Sequence, residues 1–507
     1  MRDYPELSKG RGPLCILAAS RDAKMGIRDQ DARIWPPSRD CADEPGAGPV
    51  VQPKPVAPTP TECKPVLRVI RQKPLLWLLP GLALLLAFVT AVFQRHSPNT
   101  WSRLATVQSL VERGTFAIDH SPFSTTIDKV YVNGHFYSDK PPMLSFLGAA
   151  VYLPLHAAGL RLKPGRNAVT FLVTFCTVGV SFLLCLVCFF DALCFTPLPC
   201  EYRTTATVSL ALATLFFPWS TTFASHAFAG SWVFIGFYLI LRARRTARKQ
   251  AALFFSGLAF SLAAAADHAC ILYLWAFAAY IAADRELRRG LFHFAAPLLF
   301  TVAPTLLINY HLGGDIRPFQ LRTALFKYPG SYWVSGVEEL SGSRIKDLRH
   351  TAQYAVVCLF GPQGFLVYSP LLFIPIWQVA RTIFRRGVLW VEAGLSLGAS
   401  SAIAGFYFLT SANFGGWSYS TRWFVVAVPL LWFFSFGYFQ KMTRMKRVLY
   451  AVLLGVSFCI ALVGAYNPWP DTSARAPGFL TNARAILRHC GRISESLLPT
   501  IREKTAH

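Results

Sequence analysis

The residues of this chain that can do chemistry gather in a few polar stretches between long apolar runs. Residues 95–140 hold Asp119, His120, Asp128, His135, Asp139 and Lys140. Two short turns add His226 and the pair Asp267 and His268. A second polar stretch, 310–352, supplies Asp315, Arg317, Arg322 and Lys327, and the string FGGWSYSTRW brings Trp417, Tyr419 and Arg422. Carboxylates and imidazoles can move a proton. Lysine and arginine can hold an anion, arginine by a planar fork that matches phosphate. The sharpest local pattern is FYSDKPPMLSFLGA, 136–149, an acid and a base ahead of two prolines and an apolar run. Prolines pre-set the backbone for a helix start, so Asp139 stands near a helix N-terminus, where the dipole favours the ionised form. A single loop aspartate is usually a solvated group, and Asp128, beside Lys129, fits that description. Asp267 does not, because it sits at the apex of an apolar hairpin where charge is costly; a structural pair with an arginine is the alternative to a functional role. Glu392, close to a basic cluster, can reach water from the start of its apolar run and is given no role.

Membrane-spanning helices must hold these stretches. Of the 507 residues 53% are hydrophobic and 15% are charged, against about 25% charged in soluble domains; mean hydropathy is +0.38. The expected fold is an all-α polytopic membrane protein. The formal charge of +24 is dispersed in short clusters such as RARRTARK (242–249) and KMTRMKR (441–447). Cytoplasmic loops carry charge in this way, and a nucleic-acid binder, which would collect it on one face, is not indicated. A span needs about 20 apolar residues. Such runs fall at 75–94, 168–190, 204–222, 227–242, 251–266, 268–283, 290–309, 363–380, 388–410, 422–440 and 447–466, eleven in all. Counting 143–160 as a twelfth would put RARRTARK outside, so that segment is expected to lie at the outer interface. The N-terminus is then cytoplasmic, the first outer loop runs 95–166 and the second 310–352. Residues 1–66 read as a disordered cytoplasmic tail, 67–466 as the transmembrane domain and 467–507 as a short outer tail. Within the first loop, 100–114 has the spacing of an amphipathic helix (Leu104, Val107, Leu110, Val111) closed by Gly114. KVYVNGHFY carries the Asn-Gly signal of a hairpin. The twelve cysteines include one CxxC, Cys185 and Cys188, inside an apolar run, and read as small apolar filler.

The order of these features resembles the GT-C superfamily of membrane glycosyltransferases. The resemblance is to the branch of bacterial protein O-mannosyltransferases, the lipid A aminoarabinose transferase and Rgt-type lipopolysaccharide glycosyltransferases. It rests on SRLATVQSLVERGTFAID…GHFYSDKPPMLSFLGA (102–149) and, more loosely, on FFPWSTTFASHAFAG, GPQGFLVYSPLLF and GGWSYSTRW, within an architecture covering 70–466. It implies a polyprenyl-phosphate sugar as donor and a lipid, glycan or protein as acceptor. The chemistry is placed at the outer face of the cell inner membrane, with inversion at the anomeric carbon. One carboxylate then serves as general base, while the anionic leaving phosphate needs cations and no strong acid. Relatives commonly place an aspartate near the start of the first amphipathic helix; here HSPNTWSRLATV has Asn99 and no acid. Asp139 and then Asp119 are the expected substitutes. Lys140, Arg317, Arg422 and Lys327 are expected at the donor phosphate, and His226, Asp267, His268, Trp417 and Tyr419 in the substrate site. Several outer carboxylates together can hold a divalent cation by oxygen ligands, though no spacing demands one.

Two other classes fit a polytopic chain. A transporter or flippase generally shows internal repeats and charges at the bilayer midplane, whereas this sequence has no repeat and its charges cluster at one face. A catalytically inactive scaffold of the same architecture is the other, motivated by Asn99.

Overall fold

The computed structural model describes Gly81, Leu85 and residues 97–165, 167–333, 347–411, 413–416, 418–470 and 477–489. The expected span 75–94, save Gly81 and Leu85, and the tail 1–66 lie outside the described residues. Helix α1, Pro98–Arg113, starts where the Ser97 hydroxyl accepts the Thr100 N–H and Pro98 occupies the first turn. It stops at Gly114, whose φ of 66° is the left-handed cap conformation. The expected amphipathic helix is there, but its polar side does not face water. Ser102, Arg103, Thr106 and Gln108 are buried along with Leu104 and Val107. Strands β1, Lys129–Val132, and β2, His135–Ser138, form the expected antiparallel hairpin. Asn133 and Gly134 take φ of 50° and 90°, the pair of positive values a tight hairpin turn demands. The hairpin is covered by the second loop: Val130 and Val132 pack with Phe319 and Phe326, and the Trp333 indole donates to the Ile127 carbonyl at 3.0 Å.

Helix α2, Met143–Ala157, follows the two prolines. It approaches α1 closely at Gly148, where a Cβ would stand 2.9 Å from Val107 and 2.8 Å from Phe223. Helix α3 is Ala168–Phe195. Helices α4, Cys200–Leu212, and α5, Phe216–Ser220, replace the single expected span 204–222. The break has a cause in Pro218, whose ring displaces the carbonyl four residues earlier, at Thr214. Helices α6, Ser225–Ala243, α7, Lys249–Ala266, and α8, His268–Ala283, run as expected, with α8 only one turn shorter than a full span. The α6–α7 pair is close-packed, Gly236 against the Phe260 ring. Helices α9, Arg288–Ala295, and α10, Leu298–Gly313, meet at 41° around Pro297. Then come α11, Leu348–Phe360, and α12, Pro370–Phe384, α13, Trp390–Thr410, α14, Arg422–Phe439, and α15, Arg444–Tyr466.

Among the described residues, six helices (α3, α6, α7, α13, α14 and α15) are long and apolar enough to cross a bilayer, and seven if α9 and α10 make one broken span. The difference from the expected eleven lies in the break of 204–222, the short α8 and α12, and the undescribed first run. Glu392 is not a snorkelling surface group. It is 4% exposed, pairs with Arg244 at 3.0 Å and accepts the Tyr280 hydroxyl, clasping the ends of α6, α8 and α13. The described part of the C-terminal segment is docked to the bundle. The Tyr419 N–H donates to the Pro468 carbonyl at 3.0 Å, and Asn482 donates to the carbonyls of Val463 and Asn467 at 3.0 and 2.8 Å.

Candidate active site

Charged side chains from five places in the chain meet beneath the hairpin. At the centre is Arg103, in the second turn of α1 and only 2% exposed. It donates through Nη1 to the Asn99 side-chain oxygen and through Nη2 to Ser225 Oγ at 3.2 Å. The carboxylates of Asp139, Asp267 and Asp128 and the guanidinium of Arg422 all act on it electrostatically. Burial lowers the Arg103 guanidinium to about 10, against the pull of those carboxylates; it is still a cation at neutral pH.

Lys140 forms the second focus. Its ammonium lies 2.7 Å from Asp139 and 3.0 Å from Asp128, and all three side chains are at most 13% exposed. Asp139 also accepts from Ser102 Oγ at 3.5 Å. Burial raises the Asp139 carboxyl above the usual carboxylate range, with the Asp128 charge adding to it and Lys140 opposing. The reading of Asp128 as a solvated loop residue is thus corrected. Its neighbour in sequence is Lys129, but its partner in space is Lys140. Lys129 instead donates to the Ser124 carbonyl at 2.6 Å and lies over the Phe136 ring.

The third focus is the pair His226 and Asp267, joined Nδ1 to Oδ2 at 2.7 Å with both side chains about a tenth exposed. The Asp267 carboxyl is held below its usual range because the hydrogen bond and charge of His226 outweigh burial. The Trp219 ring stands perpendicular to the His226 ring at 6.4 Å and to the Trp469 ring at 4.9 Å. Arg422 lies over Trp469 at 4.8 Å, a cation–π contact, and the Trp469 indole donates to Thr222 Oγ1 at 2.9 Å.

The expected site residues divide. Asp139, Lys140, His226, Asp267 and Arg422 belong to this cluster. Asp119 stands apart: it accepts the Phe136 N–H at 3.0 Å and faces His135 at 3.3 Å, which pins β2 to the preceding loop. Arg317 pairs with Asp315 through Nε at 2.7 Å and is 67% exposed, and Lys327 is exposed as well. His268 faces the Ala264 carbonyl at 3.2 Å. Tyr419 is buried and donates its hydroxyl to the Ile460 carbonyl at 2.7 Å. Trp417 lies outside the described residues. Arg103, Asp128, Trp219 and Trp469 were not foreseen. For Arg103 one signal was available, a cation at helical spacing with Val107 and Leu110 on the apolar side of the expected amphipathic helix.

Among the described residues no three His, Cys, Asp or Glu side chains gather as a metal site. Each cluster carboxylate is already paired with Lys140 or His226, so this donor set does not fit a divalent cation.

No family model matches the chain, and no curated protein matches it. Among solved structures the chain is similar to ArnT from Cupriavidus metallidurans bound to undecaprenyl phosphate, at 14% identity and TM-score 0.47, covering 76% of this chain and 63% of that one. It is similar to the same ArnT in the apo state at 14% identity and TM-score 0.46, covering 78% and 75%. It is similar to the oligosaccharyltransferase AglB from Archaeoglobus fulgidus, in complex with an inhibitory peptide and a dolichol-phosphate, at 13% identity and TM-score 0.43, covering 77% and 56%. The chain spans less than two thirds of the length of the first of these, and of AglB.

Proposed function

We propose that this chain is a membrane glycosyltransferase of the GT-C kind that moves a sugar from a polyprenyl-phosphate donor to a lipid, glycan or protein acceptor. The reaction takes place at the outer face of the inner membrane, with inversion. The observation that carries the reading is the buried gathering of Arg103, Lys140 and Arg422 with Asp128, Asp139 and Asp267 under the first outer loop. Three cations, Arg103 buried and Lys140 and Arg422 largely withdrawn from water, offset by three carboxylates, are costly to maintain for structure alone. They suit a reaction whose leaving group is an anion. The motif around Asp139, Lys140 and the two prolines supports the same reading.

Lys140 also borders a shallow cleft between Thr106, Phe116 and Tyr137 on one side and the end of α10 at Ile308, Asn309 and Leu312 on the other. The outer surface of α10 is apolar and exposed at Leu299, Phe300 and Leu307. A prenyl chain lying along that surface brings its phosphate to the lysine. An in-line attack then needs a base for the acceptor's proton. Asp139 is one candidate, since burial raises its proton affinity.

The test is transfer of radiolabel from a panel of undecaprenyl-phosphate-linked sugars by the full chain in nanodiscs, together with binding of undecaprenyl phosphate. Arg103→Gln and Arg422→Gln are each expected to weaken that binding by roughly 10- to 150-fold, the worth of one charged hydrogen bond. Solute uptake by proteoliposomes without any sugar transfer refutes the reading in favour of a transporter. Binding that is indifferent to both arginines refutes the assignment of the phosphate site.

A further inference from the structure

Asn99, Asp119, Asp139 and His226 can be compared as takers of the acceptor's proton, and their surroundings separate them. Asn99, where the resemblance places an acid, cannot take a proton. Asp119 is fully occupied in holding β2. Asp139 shares an ammonium with Asp128, so its lone pairs face a cation. His226 differs from all three. A carboxylate can only accept, so at 2.7 Å from Asp267 the imidazole donates Nδ1–H and leaves a lone pair on Nε2. Among the described residues nothing bonds to that Nε2.

The ring is rigidly placed. Asp267 ends α7 with its own N–H bonded to the Ala263 carbonyl at 2.8 Å, and its carbonyl accepts the Cys270 N–H at 2.9 Å. His226 is the second residue of α6, directly after Ser225, which receives Arg103 at 3.2 Å. The charged groups that face it are Asp267 from the α7–α8 turn, Arg103 from α1 and Arg422 from α14. Around it three buried donors have no acceptor: the Nε–H groups of Arg103 and Arg422 and the indole N–H of Trp219. An open lone pair set among unpartnered N–H donors is a place for an oxygen-rich ligand that brings one proton to give and several oxygens to be held.

We infer that His226, oriented by Asp267, is the catalytic base of the transfer. This inference rests on the glycosyltransferase reading above. The acceptor oxygen forms its bond to the anomeric carbon as its proton passes to Nε2 of His226. The bond from that carbon to the phosphate oxygen breaks, and the electron pair leaves on the phosphate, which the guanidinium groups hold. The imidazolium formed is stabilised by Asp267 and returns its proton to water.

The experiment compares the full chain, His226→Gln, Asp267→Asn and Asp139→Asn in nanodiscs. Undecaprenyl phosphate binding, read by tryptophan fluorescence, serves as the check on folding. His226→Gln is expected to bind undecaprenyl phosphate as the unaltered chain does and to lose about 10²–10⁴-fold in kcat. The acid limb of the pH profile should go with it. Asp267→Asn removes the anion that stabilises the imidazolium, so it lowers kcat and moves that limb to lower pH. Asp139→Asn keeps the limb. Transfer by His226→Gln with an unaltered profile, or loss of the limb in Asp139→Asn, overturns the base while leaving the glycosyltransferase reading intact. An unaltered chain that transfers no sugar from the panel overturns both. Should His226→Gln fail to bind, diethyl pyrocarbonate on the unaltered chain decides. Inactivation that tracks modification of His226 and reverses with hydroxylamine supports the base, and full inactivation with His226 unmodified refutes it.

Discussion

Replacing Lys140 by methionine probes a cation held between two carboxylates. The ammonium stands 2.7 Å from Asp139 and 3.0 Å from Asp128, and its side chain is 12% exposed. At an effective dielectric of about 20, a unit pair at such a distance interacts by roughly 6 kcal/mol. Part of that offsets desolvation, and removing one partner of a buried pair costs about 3–5 kcal/mol net. One kcal/mol moves Tm by about 2–4 °C in domains of 150–250 residues and by less in longer chains, so a fall of about 5–10 °C is expected at neutral pH. The pH dependence has a definite sign. Asp139 is raised above its usual value in the fold, so its contribution to stability is full below the unfolded value and is lost as pH rises through the folded one. Lys140→Met removes the largest opposing charge, so the deficit must widen from acid toward neutral pH and shrink as the carboxyl takes up a proton. Adding Asp128→Asn should recover part of it. Scanning calorimetry in one detergent at several pH values measures all of this. A Tm for Lys140→Met that equals that of the unaltered chain at neutral pH, or a deficit flat across pH, refutes the buried bridge.

Arg317→Ala should leave Tm, undecaprenyl phosphate binding and transfer unchanged, because its pair with Asp315 is solvent-exposed and such pairs contribute little; weakened binding would return Arg317 to the donor site. Arg244→Met strips the cation from buried Glu392 and is expected to cost about 3–5 kcal/mol, read as a lower Tm with undecaprenyl phosphate binding unimpaired. Gly257→Ala places a Cβ 1.8 Å from the Phe294 carbonyl oxygen, a backbone atom that cannot rotate away. A loss of about 1–3 kcal/mol or more, seen in thermal unfolding and detergent sensitivity, should follow from prying α7 from α9.

How much of this was legible depends on how far apart the cooperating residues lie. Helix α1 was legible because Ser97, Pro98 and Gly114 are local signals that act within a turn. The hairpin was legible because Asn133 and Gly134 tolerate the positive φ that its turn requires. The start of α2 was legible from Pro141 and Pro142. The span 204–222 was misread because hydropathy averages over a window and overlooks one proline ring. The sign of the environment around α1 was misread because helical periodicity identifies two faces and does not say what covers each. Arg103 falls at helical spacing with Val107 and Leu110 on the apolar side of α1, and there it meets Ser225 and the charge of Asp267, more than 100 residues away in sequence.

The sequence by itself determined the membrane class, the helical character and the grouping of acids and bases in polar stretches between apolar runs, since these follow from composition and from spacing within a few residues. It also singled out Asp139, Lys140, His226, Asp267 and Arg422 by chemical type. Only the tertiary structure decided which of them meet. It paired His226 with Asp267 across 41 positions, gave Asp128 to Lys140, brought Trp469 from the C-terminal segment to Arg422, and left Asp119, Arg317 and Lys327 outside. The physical reason is that a buried charge is defined by its solvation and its partners, and both are supplied by helices that the order of residues does not bring together.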